Sequence, residues 1–130
     1  MLQRIDDLLK KDHDFAFETT LSTRSFTVFV EKAKASGFTV SLLFFWLSSV
    51  ELAKSRVAQR VSEGGHHIPE EVIERRYRRG LQNLFDLYLP ICDQTLFFDN
   101  SEQKPNLIFK KWRNVPIEIF DHKLFNQIMK

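Results

Sequence analysis

The chain has 130 residues, 43% of them hydrophobic, and a formal net charge of +2. That is enough for one domain with a sizeable core. It is too balanced for a polybasic nucleic-acid binder, so any basic function must be local. Cys92 is the sole cysteine, which excludes an intramolecular disulfide and fits a reducing cytoplasm.

Taken in chain order, MLQRIDDLLKKD is charged and lacks the apolar stretch of a secretory signal. Leu2, Ile5, Leu8 and Leu9 recur at helical spacing and predict a helix over 2–11. FAFETTL, 15–21, predicts a short strand ending near Thr19. Ser22 or Thr23 is placed to cap a helix whose apolar stripe is Phe26, Phe29, Val30 and Ala33, with Gly37 as its stop. FTVSLLFFWL, 38–47, then reads as a strand apolar on both faces, as in parallel sheets covered by helices. Its longest apolar run, VSLLFFWL, is far too short for a membrane span.

SSVELAKSRVAQRV predicts a helix capped by Ser48 or Ser49, with Glu51 in its first turn and Gly64-Gly65 at its end. Pro69 opens the next helix beside Glu70 and Glu71, and Pro90 stops it after Leu87 or Leu89. TLFFDN, 95–100, is a third strand. NLIFKKWR and PIEIFD predict a late hairpin within 106–120, with Asn114 near its turn, and HKLFNQIMK a terminal helix. The order predicts one α/β domain over 1–130 with a mostly parallel sheet. Ligands of such sheets sit beyond the carboxyl ends of the strands, which draws attention to Glu18, Thr19, Ser48, Ser49 and Asp99. The thirteen phenylalanines should dominate the core.

The stretch RVSEGGHHIPEEVIERRYRRG concentrates the chemistry. Arg56 and Arg60 are one helical turn apart, as are Arg75 and Arg79, and Arg78 and Gln82. Guanidiniums converging from two helices joined by GGHHI would clamp a phosphate, because each offers a planar fork of donors. The plainer alternative is a solvated face in which these arginines pair with Glu63, Glu70, Glu71 and Glu74. A basic helix with Tyr77 interleaved could also hold nucleic acid, although the neighbouring acids weigh against it. FKKWRN is a weaker candidate of the same kind. Glu18, at a strand end, suits a hydroxyl contact or a general base; a solvated carboxylate is the ordinary reading. His66 and His67 lack ligand-spaced partners, and His13 and His122 are isolated, so no metal site is expected. His66 reads as a turn residue that touches a bound phosphate, and Cys92 as a small core residue.

Together FAFETTLS, FTVSLLFFWLSS, and RVAQRV with GGHHIPEEVIERRYRRGLQNL resemble the later part of the zeta-toxin family of P-loop kinases, over roughly residues 1–100. The resemblance implies a kinase-like sheet flanked by helices, with a helical lid at about 48–89. It implies ATP- and magnesium-dependent phosphorylation of a small-molecule hydroxyl, such as that of UDP-N-acetylglucosamine. Glu18, Thr19 and Thr20 would then help to hold the acceptor. Arg60 with one or more of Arg75, Arg76 and Arg79 would meet the ATP phosphates, with His66 beside them. The chain contains no G-x-x-x-x-G-K-[ST], however, and none of its four glycines stands at that spacing. The expectation is a truncated domain without a complete catalytic set, inactive alone and binding no ATP or magnesium tightly. In the family the P-loop strand separates the strands matching 15–21 and 38–47. Without it those two strands should pair directly, or a second copy should cover the exposed edge in a homo-oligomer. The alternative class is a non-enzymatic module that regulates a full-length kinase or binds nucleic acid through 75–79.

Overall fold

A computed structural model describes residues 14–16 and 18–129, so the predicted 2–11 helix lies outside the described residues. The elements are α1 (Phe26–Ala35), β1 (Ser41–Trp46), α2 (Val50–Ser62), α3 (Glu70–Asn83), a π turn (Leu84–Tyr88), β2 (Gln94–Asp99), β3 (Asn106–Trp112), β4 (Glu118–Ile119) and α4 (His122–Ile128). The sheet order is β1-β2-β3-β4. β1 and β2 run parallel, with Ser41 opposite Gln94 and Trp46 opposite Asp99. β3 and β4 extend the sheet antiparallel, so the late hairpin is part of the sheet. The α/β class expected from the sequence is found, but the sheet is mixed and not mostly parallel: β1–β2 is parallel, and β2–β3 and β3–β4 are antiparallel because the late hairpin joins the same sheet.

Alternation decides which side of the sheet is the core. Phe97 and Phe109 are fully buried and lie opposite each other across β2 and β3. Phe97 stacks between Phe44 and Phe109, with ring centres 5.3 and 4.9 Å apart. Phe85, from the π turn, touches both Phe97 and Phe109, and Phe125 of α4 meets Phe109 edge-on at 5.5 Å. These offset and edge-on contacts are the arrangements that ring quadrupoles favour. Leu84 and Tyr88, one turn apart, complete the seal from above.

Four further expectations need correction. First, 15–21 is not a strand among its described residues. Its backbone is taken by side chains instead: Asn83 Nδ2 donates to the Leu21 carbonyl at 2.8 Å. Leu21 adopts a left-handed φ of 58° while only 3% exposed, so burial offsets an unfavourable backbone. Second, α1 begins after Ser25, not Ser22 or Thr23. The Thr23 carbonyl is held by the Tyr88 hydroxyl at 2.8 Å, which fixes Thr23 outside the helix. Third, the strand expected over 38–47 is shorter, because Val40 is tied to Asp93 before pairing begins. Fourth, β1 is not covered on both faces: Leu43 is 50% and Phe45 49% exposed.

The central ring stack makes a direct prediction. Phe97→Ala should cost about 3–5 kcal/mol, much of the stability of an ordinary domain. Urea unfolding followed by circular dichroism checks this; a loss under ~1 kcal/mol would mean that the stack collapses onto the void without cost.

Candidate phosphate-binding site

The site begins with two helix ends. Ser49 Oγ accepts from Leu52 N–H at 3.1 Å and starts α2. At the other end Gly64 has φ 101°, Gly64 N–H reaches the Val61 carbonyl, and Gly65 N–H reaches that of Arg60 at 2.8 Å. This is a Schellman closure, and it needs both glycines. Gly64 supplies the left-handed backbone, and a β-carbon on Gly65 would lie 2.8 Å from the Arg60 carbonyl oxygen. The paired glycines therefore have a structural reason of their own. Pro69 then caps α3, with Glu70 and Glu71 in its first turn.

The hairpin of α2 and α3 is held by charge and by one hydroxyl. Lys54 Nζ lies 2.6 Å from Glu74 and 3.7 Å from Glu70, and Arg78 lies 3.3 Å from Glu74. The Lys54 hydrogen bond holds the Glu74 carboxyl below its usual range, and the Glu74 bond likewise raises the Lys54 ammonium. The Tyr77 hydroxyl donates to the Leu47 carbonyl at 2.6 Å and fastens α3 to the end of β1. Burial raises the Tyr77 phenol.

These contacts sort the arginines. Arg78 belongs to the surface pair with Glu74, and Arg56 donates to the Ser101 carbonyl at 3.0 Å. Arg60, Arg75, Arg76 and Arg79 are exposed, and none pairs with a carboxylate among the described residues. The Glu71–Arg75 bridge that i,i+4 spacing allows is not formed. Four guanidiniums thus remain open to an anion.

The segment carrying Glu18, Thr19 and Thr20 lies against the same helix. A β-carbon on Gly80 would sit 2.6 Å from the Thr20 carbonyl oxygen, so the segment passes α3 where no side chain intervenes. Asn83 then takes the Leu21 carbonyl. Arg76 is one turn before Gly80, and Arg79 one turn before Asn83, so both stand on the strip where the segment lies. Glu18 is exposed. The Thr19 hydroxyl accepts from Leu21 N–H at 3.2 Å, and that of Thr20 pairs with Ser22 at 2.8 Å. The threonines thus shape the turn, and the Glu18 carboxylate stands out from it.

The other candidates fall elsewhere. Ser48 N–H donates to Ser101 Oγ at 2.9 Å, and Ser101 donates to Asp99 at 2.6 Å, so the strand-end serines and Asp99 close a loop. His66 and His67 are exposed on the turn. Among the described residues no three His, Cys, Asp or Glu side chains are grouped to hold a metal ion. Cys92 is buried, and burial pushes its thiol up to about 11, where it carries no thiolate reactivity. Sequence reasoning missed Gly80 and Asn83, and read Tyr77 only as part of a basic nucleic-acid face, whereas its hydroxyl ties α3 to Leu47; a glycine inside an arginine-rich helix was the available signal for the first.

A family model described as zeta toxin matches residues 1–106. An uncharacterized protein of Haemophilus influenzae is 36% identical over 69 residues, which is 53% of this chain and 49% of that protein. The match therefore spans about half the length of that relative. No solved structure matches.

Two measurements check this geometry. Gly→Ala inside a helix ordinarily gains up to about 1 kcal/mol. Gly80→Ala should instead lower the melting temperature and move the amide resonances of Thr19 to Leu21, because the clash is with backbone. Glu74, with its carboxyl lowered in the fold, stabilises above the ordinary value of 4.5 and loses this as pH falls through its folded value. Melting scans from pH 6 to about pH 3 should show a small acid loss that Glu74→Gln removes. An unchanged acid limb in the variant would show that the pair contributes nothing.

Proposed function

Because the chain belongs to the zeta toxin family, we propose that residues 48–89 are a phosphate-gripping lid and residues 18–20 the acceptor side of a phosphotransferase site. The observation that carries this is the division among the arginines. Two are consumed by structure, and four are left open, two of these on the strip shared with the Glu18–Thr20 segment. A planar guanidinium donates two parallel hydrogen bonds to phosphate oxygens and stays charged at every physiological pH. Arg60, Arg75, Arg76 and Arg79 would neutralise charge on the transferred group, and Glu18 would accept from an acceptor hydroxyl.

The fit to ATP with magnesium is partial. Open guanidiniums suit polyphosphate oxygens. Magnesium at phosphoryl-transfer sites is held by one or two side-chain oxygens together with water and the phosphates themselves, so it would arrive with the nucleotide. The sequence carries no G-x-x-x-x-G-K-[ST] to cradle the phosphates. The reading is accordingly of the lid and acceptor portion of an ATP-dependent kinase, without phosphoryl transfer by this chain alone. A sugar nucleotide such as UDP-N-acetylglucosamine is the acceptor that the family resemblance suggests. No helix among the described residues is long and apolar enough to cross a membrane.

Calorimetric titration with Mg-ATP at low and high salt tests the reading. We expect weak binding that falls with salt and is lost in Arg75→Ala/Arg76→Ala/Arg79→Ala. Tight stoichiometric binding that survives salt would overturn the assignment of an incomplete site. Absence of binding at low salt would remove the lid assignment.

A further inference from the structure

We infer that Asn83 is a positioning residue: with Gly80 it sets the register of the 18–23 segment along α3, and so holds the Glu18 carboxylate level with Arg76. This rests on the lid-and-acceptor reading and adds to it a ruler between the two sides of the site. Three contacts fix the register. The Thr20 carbonyl oxygen lies against Gly80, where a β-carbon would come within 2.6 Å of it. The Leu21 carbonyl accepts from Asn83 Nδ2 at 2.8 Å, and the Thr23 carbonyl from the Tyr88 hydroxyl at 2.8 Å. Both series of residue numbers rise together, so the segment runs in the direction of α3. Followed backwards, the exposed Glu18 stands two residues before Thr20, up to about 7 Å of extended chain. Arg76 stands four residues before Gly80, about 6 Å of helix. The carboxylate and the guanidinium therefore leave their backbones at one level.

Asn83 is the contact that transmits this register. Leu21 holds a left-handed φ of 58°, which a non-glycine residue keeps only where its surroundings over-determine it. Its side chain is buried in the core, and its carbonyl takes the Asn83 amide. Upstream, Leu21 N–H donates to Thr19 Oγ1 at 3.2 Å and Ser22 N–H to Thr20 Oγ1 at 3.4 Å, while the Thr20 and Ser22 hydroxyls pair at 2.8 Å. Such local bonds make residues 19–22 one stiff turn, so a shift of the Leu21 carbonyl is passed on to Glu18. The Tyr88 bond lies beyond Leu21, at Thr23, and is outside this line. Phosphoryl transfer needs the reacting oxygen and phosphorus about 3–3.5 Å apart. A segment free to slide along α3 would forfeit the alignment that the arginines and Glu18 supply together.

The test titrates inorganic pyrophosphate into the full chain at low salt and follows the Arg76 Nε–H and the Glu18 to Leu21 amides by NMR. In the parent both sets should move together, with one dissociation constant. In Asn83→Ala the arginine response should survive and the response of 18–21 should be lost. Tyr88→Phe removes a similar bond from the other end of the segment and should leave both responses in place; a merely structural role for Asn83 would make the two variants alike. Asn83→Asp keeps the size of the side chain without its donor and should repeat the alanine result. Arginines that respond while 18–21 stays silent in the parent would sink the inference and leave the lid standing. So would an Asn83 variant whose segment still follows the ligand, an equal loss in Tyr88→Phe, or failure of both Asn83 variants to fold, which would make the amide a structural requirement. Silence of every arginine would remove the lid reading, and the ruler with it.

Discussion

Phe97 is the residue on which the sheet and the arginine helix both rest. Its ring is held on one side by Phe44 of β1 and on the other by Phe109 of β3, while Phe85 presses on it from the π turn that ends α3. The parallel pair, the antiparallel extension and the helical layer share one fully buried side chain. With three strands of six or seven residues, the sheet has little other surface to bury. Aromatic rings supply large buried area from few residues, which suits a small sheet with one open face.

The consequence for the candidate site runs through α3. Its last turns are fixed by Gly80, Asn83 and Tyr88 against the 20–23 segment, and by Tyr77 against Leu47. The arginines therefore project from a helix whose base is bolted to the core. A π turn adds one residue to a helical turn and shifts the faces that follow. Here it lets the exposed arginine face of α3 give way to the buried Leu84 and Tyr88 within a single continuous helical run.

Much of this was legible in the residues. The apolar runs gave β1 and β2 their places, Gly64-Gly65 and Pro69 marked the hairpin, and Asn114 does take a left-handed φ, of 63°, at the late turn. The failures have a common cause: contacts between distant segments. FAFETTL has strand composition, yet a strand exists only where its backbone pairs with a neighbouring strand, and here Asn83 of α3 takes the Leu21 carbonyl. Likewise i,i+4 spacing offers Glu71 to Arg75 and Glu74 to Arg78 equally. Only the second pair forms, beside the Lys54 that α2 brings across. Spacing within one helix does not reveal what a second helix contributes.

The stretch described as a lid is also the connection between the two parallel strands. Ser41 and Gln94 are 53 positions apart, and α2, α3 and the π turn fill the interval. The first ladder of the sheet closes only after that whole interval has folded back, so its assembly carries a large loop-closure entropy and a high contact order. The arginine helices are therefore no detachable appendage. The chain must gather them to make its sheet, and residues that speed or slow hairpin formation should govern how fast the protein becomes native.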